Sequence, residues 1–159
     1  MDQQPLSLLH IHVKLLGFSL HSITPWPNNP SIFYLNGKRI SRVEILGVVT
    51  SRDYKPNKFL RFTLDDGTHS ITCILWLNHL TSPFFASRQP ATLRVISDLA
   101  KCFADDIQFG KVARVRGRVS SYRGDLQVTV SDVVIERDPD AETLHRLDCI
   151  SLGRRCYFG

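Results

Sequence analysis

Aromatic and cationic side chains recur at the non-core positions of several alternating segments, where they could bind a nucleic-acid strand. Arginine and lysine pair with phosphates, and aromatic rings stack on bases, each stack contributing about 1–3 kcal/mol. Segment 57–65 places Phe59 and Arg61 on the side away from its apolar residues, and segment 111–121 does the same for three arginines. The candidate nucleic-acid-binding residues are Tyr54, Lys55, Lys58, Phe59, Arg61, Trp76, Arg114, Arg116, Arg118, Tyr122 and Arg123.

The same side chains have a purely structural alternative. Strand-face arginines can be solvated or can pair with carboxylates such as Asp65 and Glu136, and the aromatic rings can cover an edge of the core. The coincidence of an arginine stripe, aromatic rings and two basic loops favours the binding interpretation. Tyr122 and Arg123, in the turn between the last two alternating segments, are the first residues to mutate.

Signatures of catalysis and of metal binding are weak. The sequence has no phosphate-binding glycine loop, nucleophile elbow or H-E-x-x-H motif. His10 and His12 could chelate a metal from one strand face, but a zinc site requires four ligands and no second cluster is near in sequence. Asp65 and Asp66 lie beside Gly67 in a turn, without an acid–base partner. These observations predict a protein that is not an enzyme and needs no cofactor.

Length and composition are those of one globular domain. The 159 residues, 43% hydrophobic and 22% charged, suffice for one core. A net charge of +5 favours polyanionic partners such as nucleic acid. The apolar stretches are shorter than the roughly 20 residues of a membrane span, and the N-terminus lacks a secretory signal, which favours an intracellular location without a membrane partner. The four cysteines form no C-x-x-C pair, so we expect reduced thiols.

Five alternating segments and two helices have to position the candidate residues. Strand one begins at Ile40, and Gly47 within it indicates a bulge or a bend. A helix around 93–103, which follows a loop containing Pro83 and Pro90, separates strands three and four. The other strands span 57–65, 69–76, 111–121 and 126–135. This order predicts an all-β fold with flanking helices, the five-stranded Greek-key barrel of the OB-fold, whose exposed sheet face and two loops bind oligonucleotides.

We divide the single domain, 1–159, into three parts. Residues 1–37 form an N-terminal arm and loop with a proline cluster, 38–137 form the barrel, and 138–159 form a C-terminal helix and tail. Asp138 is the predicted N-cap of this helix and Pro139 its first residue. An apolar stripe on the helix either closes the barrel bottom or packs on a helix of a partner. Its members are Leu144, Leu147, Ile150 and Leu152.

Several short motifs resemble those of a known family. They are FYLNG at 33–37, VEILG at 43–47, LDDGT at 64–68 followed by Cys73 and Trp76, Gly110, RVRG at 114–117 and SYR at 121–123. They run in the family's order over about residues 8–158. On these motifs the chain is similar to the Stn-type subunit of the CST telomere complex, itself similar to the middle subunit of replication protein A.

The resemblance implies a non-catalytic subunit that binds G-rich single-stranded telomeric DNA at chromosome ends in the nucleus and contributes to end protection and telomere replication. It also implies a heterotrimer with a small Ten-type OB-fold subunit and a large Ctc-type multi-OB subunit. The alternative is an assembly adaptor that bridges these two partners and has little direct DNA contact.

Two details of the chain gain an expected role from the resemblance. In replication protein A relatives the C-terminal helix enters a multi-subunit helical bundle, which implies that the stripe containing Leu144 binds a partner, and Trp76 falls near a base-stacking tryptophan. The sequence ends at Gly159, where animal and fungal members continue into winged-helix modules. A short, barrel-only form of this kind resembles the plant version, so the resemblance leaves a polymerase-recruiting role open.

Overall fold

Nine strands and three α-helices run through residues 8–78 and 89–157, the part of the chain that the computed structural model describes. The N-terminal part contains β1 (His12–Lys14), α1 (Gly17–Leu20), β2 (Thr24–Trp26), β3 (Asn29–Leu35) and β4 (Lys38–Ile40). The remainder contains β5 (Arg42–Lys55), β6 (Phe59–Asp65), β7 (Ser70–Trp76), α2 (Pro90–Asp106), β8 (Val112–Tyr122), β9 (Asp125–Glu136) and α3 (Ala141–Leu152). A π-helical turn, Gly153–Tyr157, follows α3.

Strands β5 to β9 close into a barrel. Strands β5, β6 and β7 form an antiparallel meander, β9 pairs in parallel with β7 and antiparallel with β8, and β8 returns to β5. This circular order is that of the OB-fold barrel, so the predicted fold class is confirmed. Strand β1 extends the sheet by pairing in parallel with the first residues of β5.

Alternation along the strands places one set of side chains in the core. Leu60, Phe62 and Leu64 of β6 are fully buried, and helix α2 adds Ala100 and Ala104 to the core. The predicted strands two to five agree with the observed bounds to within two residues. In β6, period-two patterning therefore identifies which side chains face outward.

Strand β5 is longer than the sequence predicts. Residues 51–55, in the basic loop expected between the first two predicted strands, remain paired with β6 although their side chains are exposed on both faces and so leave no apolar alternation. The register irregularity lies between Val49 and Ser51 rather than at Gly47. Gly47 instead allows close approach of two strands, because a Cβ there would lie 2.8 Å from the carbonyl oxygen of Asp65.

The predicted arm and loop, 1–37, contains regular structure from residue 12 onward, and this continues into β4. Strands β2, β3 and β4 form a small antiparallel sheet, and Phe33, Leu35 and Ile40 on one of its faces belong to the core. Pro25 lies in an edge strand and Pro30 near the start of β3, positions that tolerate the missing backbone N–H. The small sheet thus adds to the barrel core.

Both long helices begin at different residues from those predicted. Helix α2 begins at Pro90, because proline is accepted in the first turn of a helix. Helix α3 begins at Ala141 rather than Pro139, since Asp138 accepts hydrogen bonds from the backbone N–H groups of Asp140 and Ala141 and so forms the preceding turn. The loop containing Pro83 lies outside the described residues. In the part of the chain seen here, no helix is long and apolar enough to cross a membrane.

Candidate nucleic-acid interface

Two strands place an aromatic pair on the outer face of the barrel. Phe59 of β6 lies directly opposite Trp76 of β7, and alternation turns both away from the core residues Leu60 and Leu75. The two rings meet edge to face, with centroids 5.9 Å apart and planes at 74°. This is a favourable geometry for an aromatic pair, and both rings are half-buried with some surface open to solvent.

Arginine side chains connect this pair to the turn between β8 and β9. The guanidinium carbon of Arg61 lies 5.1 Å from the ring centroid of Phe59 and 5.8 Å from that of Tyr122, and the guanidinium of Arg123 lies 5.2 Å from the Tyr122 ring. We call this cluster the barrel platform. Its members are Phe59, Arg61, Trp76, Tyr122 and Arg123.

The β8–β9 turn fixes how the platform presents Tyr122 and Arg123. The two turn residues, Arg123 and Gly124, both have positive φ angles, 52° and 85°. A two-residue hairpin turn of this kind matches the twist of the flanking strands and holds Arg123 at the tip. Tyr122 is 48% exposed. Among the described residues no carboxylate forms an ion pair with Arg61 or Arg123, although Asp53, directly opposite Arg61 on β5, pairs with Lys55 at 3.7 Å.

The β5–β6 turn adds cations beside the platform. Lys55 lies directly opposite Phe59 in the strand register and therefore shares its face. Lys58 is an exposed residue of the turn itself. The structure thus brings these two predicted residues next to the aromatic pair.

Tyr54 lies on the other side of the same hairpin. It is directly opposite the core residue Leu60, and its ring contacts the guanidinium of Arg52, 5.3 Å from the ring centroid. Arg52 in turn donates hydrogen bonds to the carbonyl oxygens of Ala104 and Ile107 at the end of α2, at 3.0 and 2.8 Å. The register therefore separates Tyr54 from the barrel platform.

The three arginines of β8 point outward as predicted but have different surroundings. Arg118 is exposed and lies directly opposite Arg42 of β5. Arg114 and Arg116 both donate hydrogen bonds to Glu44, at 3.1 and 2.6 Å, and Arg114 also pairs with Glu136 at 2.8 Å. These ion pairs give Arg114 and Arg116 a structural role, and a contact of either with nucleic acid stays a prediction.

Helix α3 has one buried and one exposed face. Ala141, His145 and Cys149, four residues apart, face the barrel, and burial lowers the pKa of His145 and raises that of Cys149 to about 12. Leu152 is half-buried against the core. We call the exposed apolar side chains the α3 stripe, which consists of Leu144, Leu147 and Ile150 at 55%, 57% and 44% exposure.

A second aromatic and cationic cluster lies on the small sheet. The rings of Trp26 and Tyr34 have centroids 4.3 Å apart, and the guanidinium carbon of Arg39 lies 5.7 Å from the Trp26 ring. Sequence alternation does not reveal this cluster, because the prolines around Trp26 favour a loop. The described residues contain no group of three or more His, Cys, Asp and Glu placed to hold a metal ion.

Comparison with known proteins identifies the family. Residues 43–136 match the family described as "OB-fold nucleic acid binding domain". Over 152 residues the sequence is 48% identical to CST complex subunit STN1 of Arabidopsis thaliana, covering 95% of this chain and 94% of that protein. The chain belongs to the STN1 family of CST complex subunits. The predicted resemblance is confirmed, and assignment to a family of complex subunits agrees with the prediction that the chain is not an enzyme.

A further STN1 relative supports the family, and two solved structures support the fold. Identity to CST complex subunit STN1 of Ailuropoda melanoleuca is 31% over 136 residues, 80% of this chain and 37% of that protein. The S. pombe Stn1–ten1 complex contains a chain of the same fold, with a TM-score of 0.69, 17% identity and coverage of 90% of this chain and 91% of that one. A replication protein A heterotrimer bound to single-stranded DNA contains another, with a TM-score of 0.69, 15% identity and coverage of 91% and 97%.

Proposed function

We propose that this STN1-family chain binds G-rich single-stranded telomeric DNA on the barrel platform, as a non-catalytic subunit of the CST complex at chromosome ends in the nucleus. In this role it contributes to chromosome-end protection and telomere replication. The observation that carries the proposal is the barrel platform itself, in which three aromatic rings and two arginines lie in contact on one solvent-facing surface.

The chemistry of the platform suits a single strand better than a duplex. Bases expose their ring faces only when unpaired, and Phe59, Trp76 and Tyr122 offer rings on which such faces stack. Arg61 and Arg123, with Lys55 and Lys58 beside them, supply charge for the phosphates. The replication protein A heterotrimer that shares this fold is bound to single-stranded DNA.

The α3 stripe supports a second part of the proposal, the binding of protein partners. Three large apolar side chains on one exposed helix face form a surface of the kind that a partner helix buries. The S. pombe protein of the same fold is found in a complex with ten1. We therefore assign the stripe to assembly with a small Ten-type OB-fold subunit and a large Ctc-type multi-OB subunit.

Fluorescence anisotropy with a labelled telomeric single strand, across a salt series, tests the DNA contact. Tyr122→Ala and Trp76→Ala should each weaken binding by about 5- to 150-fold, the equivalent of one lost stack. Arg61→Ala should also reduce the slope of log affinity against log salt by about one. Matched controls are Phe109→Ala, which removes a 76% exposed ring elsewhere, and Arg94→Ala, which removes an exposed charge from α2.

The alternative function is an assembly adaptor with little direct DNA contact, which the exposed α3 stripe also fits. It predicts that the platform variants bind DNA as the wild-type chain does, both alone and in complex with the small partner. Unchanged affinity in both settings would overturn the DNA proposal and leave the adaptor. Equal losses of DNA affinity in the platform and control variants would also count against the DNA proposal.

A further inference from the structure

We propose that the small sheet carries a second base-stacking site, formed by Trp26, Tyr34 and Arg39, so that a longer DNA strand extends from the barrel platform onto this sheet. We call these three residues the sheet platform. The inference rests on the proposed function, because it extends the path of the same strand.

The sheet platform faces away from the core. Tyr34 and Arg39 lie directly opposite each other in the β3–β4 register, whereas their neighbours Phe33, Leu35 and Ile40 are buried in the core. Since side chains alternate across a strand, Tyr34 and Arg39 project to the other face, where Trp26 meets them. The core side of the sheet is filled without this cluster.

The sheet platform repeats the chemistry of the barrel platform. A tryptophan lies against a second aromatic ring, and an arginine lies within cation–π distance of the tryptophan. All three side chains are half-buried, which leaves part of each open to a ligand. Within the described residues Arg39 has no carboxylate partner. A ring to stack on and a free cation for a phosphate are the two elements of a single-strand site.

A pair of arginines lies a few residues along the chain from each platform. Arg42 and Arg118 are directly opposite each other on β5 and β8 and face outward, with no carboxylate partner for either in the described part of the chain. Like charges at directly opposed positions of a sheet destabilise each other, and an anion between them removes that repulsion. A backbone phosphate of the DNA strand is an anion of the right charge.

The spacing along the chain connects this pair to both platforms. Arg42 follows Arg39 by three residues, so their Cα atoms are at most about 11 Å apart. Arg118 precedes Tyr122 by four residues on the same strand and face, a distance of about 13 Å. Cations thus occur at short intervals from the barrel platform to the sheet platform.

A half-buried histidine lies beside Arg42 of the arginine pair. His12 of β1 lies directly opposite Arg42. Burial, together with the charges of Arg116 and Arg42, lowers the pKa of His12, although Glu44 and Asp132 act in the opposite direction. Burial is the largest of these causes, and within the arginine pair only Arg42 contributes to the shift.

The two tryptophans of the chain allow each platform to be observed separately. Trp76→Phe leaves Trp26 as the only indole, and Trp26→Phe leaves Trp76. Intrinsic fluorescence of both variants is titrated with telomeric single strands of about 4 and about 16 nucleotides, the limits of an OB-fold site. Base stacking on an indole quenches it, so we expect the long strand to quench both tryptophans and the short strand to quench only Trp76.

Affinity measurements complete the test. Trp26→Ala combined with Arg39→Ala should weaken binding of the long strand at least about 5-fold, one stack, and leave the short strand unaffected. Arg42→Ala combined with Arg118→Ala should lower the salt slope for the long strand, with Arg94→Ala as the control. The conservative Trp→Phe variants keep the test decisive even if the alanine variants are unstable.

The outcomes separate the two proposals. If the long strand quenches Trp76 but leaves Trp26 unchanged, the sheet platform is overturned and the proposed function stands. If neither tryptophan responds, both are overturned. If the long strand quenches both, and the Trp26 response disappears with the short strand, the extended path is supported.

Discussion

At the scale of the residue, Glu44 is a buried carboxylate that anchors two strands. Its side chain is 3% exposed, and it pairs with Arg116 at 2.6 Å, Arg114 at 3.1 Å and Lys14 at 3.7 Å. Burial acts to raise the pKa of Glu44, but the hydrogen bond from Arg116 and the charges of Lys14, Arg114 and Arg116 outweigh it, so the pKa lies below the ordinary value. A buried carboxylate that stays ionised in this way ties β8 to β5 and β1.

Glu44→Gln should lower the free energy of unfolding by about 2 kcal/mol at neutral pH, because a neutral amide leaves the arginines without their counter-charge. A carboxyl whose pKa is lower in the folded state stabilises the fold at pH values above its unfolded pKa, and this is lost as the pH falls through the folded pKa. The difference in the free energy of unfolding between wild type and Glu44→Gln is therefore largest at neutral pH and becomes smaller as the pH falls. Urea unfolding at successive pH values measures it.

Glu136→Gln is the matched control for this substitution. Among the described residues Glu136 pairs only with Arg114, and its side chain is 23% exposed. The loss of unfolding free energy should therefore be smaller than for Glu44→Gln. A difference between wild type and Glu44→Gln that stays constant from neutral to acid pH would contradict the assigned charge.

Sequence alternation predicts which face a residue occupies but not its partner. The alternation of side chains along β6 and β7 depends only on the local sequence, and it correctly places Phe59 and Trp76 on one outer face. Alternation along β8 likewise places Arg114, Arg116 and Arg118 on one face. Two of them, Arg114 and Arg116, nevertheless bind Glu44, about 70 residues earlier in the chain. That contact depends on the closure of β8 onto β5, which no local pattern encodes.

At the scale of the element, one aspartate in the β6–β7 turn fastens the N-terminal arm to the barrel. One carboxylate oxygen of Asp66 accepts a hydrogen bond from the N–H of Gly17 at 2.6 Å, where α1 begins. The other accepts from the N–H of Thr68 and of His69 and from the Thr68 hydroxyl, at 2.9, 3.1 and 2.6 Å. Arg146 of α3 donates to the Asp66 carbonyl oxygen at 2.7 Å. The turn thus joins α1, the hairpin and α3.

Asp66→Ala should destabilise the protein by about 2 kcal/mol, the upper range for a lost helix cap, because it leaves several N–H donors without an acceptor. Hydrogen exchange should accelerate at Gly17 more than in the barrel strands. Asp65→Ala is the control in the same turn, since Asp65 is exposed and its side chain accepts one bond, from Gly67 at 2.8 Å. Equal losses for the two aspartates, or unchanged exchange at Gly17, would refute this role.

The elements that sequence patterns located are those with a buried face and an exposed face. Strands β6 to β9 qualify over most of their length, whereas the end of β5 is exposed on both faces and carries no such pattern. The small sheet was missed because Pro25 and Pro30 favour a loop, and its short strands are recognisable only once Phe33, Leu35 and Ile40 are seen to fill the core.

At the scale of the whole molecule, the two proposed binding surfaces belong to different elements. The barrel platform is built from β6, β7 and the β8–β9 turn, and the α3 stripe from the outer face of one helix. Neither surface shares a residue with the other. DNA binding and assembly should therefore be separable by mutation, which a single composite surface would not allow.

Leu144→Asp combined with Leu147→Asp should prevent assembly with the small Ten-type partner. Both side chains are more than half exposed, so the fold should remain intact, while each buried hot spot in an interface contributes roughly 2 kcal/mol or more and its loss weakens binding at least about 30-fold. Co-expression followed by size-exclusion chromatography detects the one-to-one complex.

Thr143→Asp, an exposed position on the same helix, is the control that adds a charge outside the stripe and should preserve the complex. Anisotropy on the unassembled Leu144→Asp, Leu147→Asp chain should give the same affinity for telomeric single strands as the wild-type chain alone, because the barrel platform is unchanged. Recovery of a stable complex from the double variant would remove the stripe from the interface. Loss of both activities together would show that the surfaces are coupled.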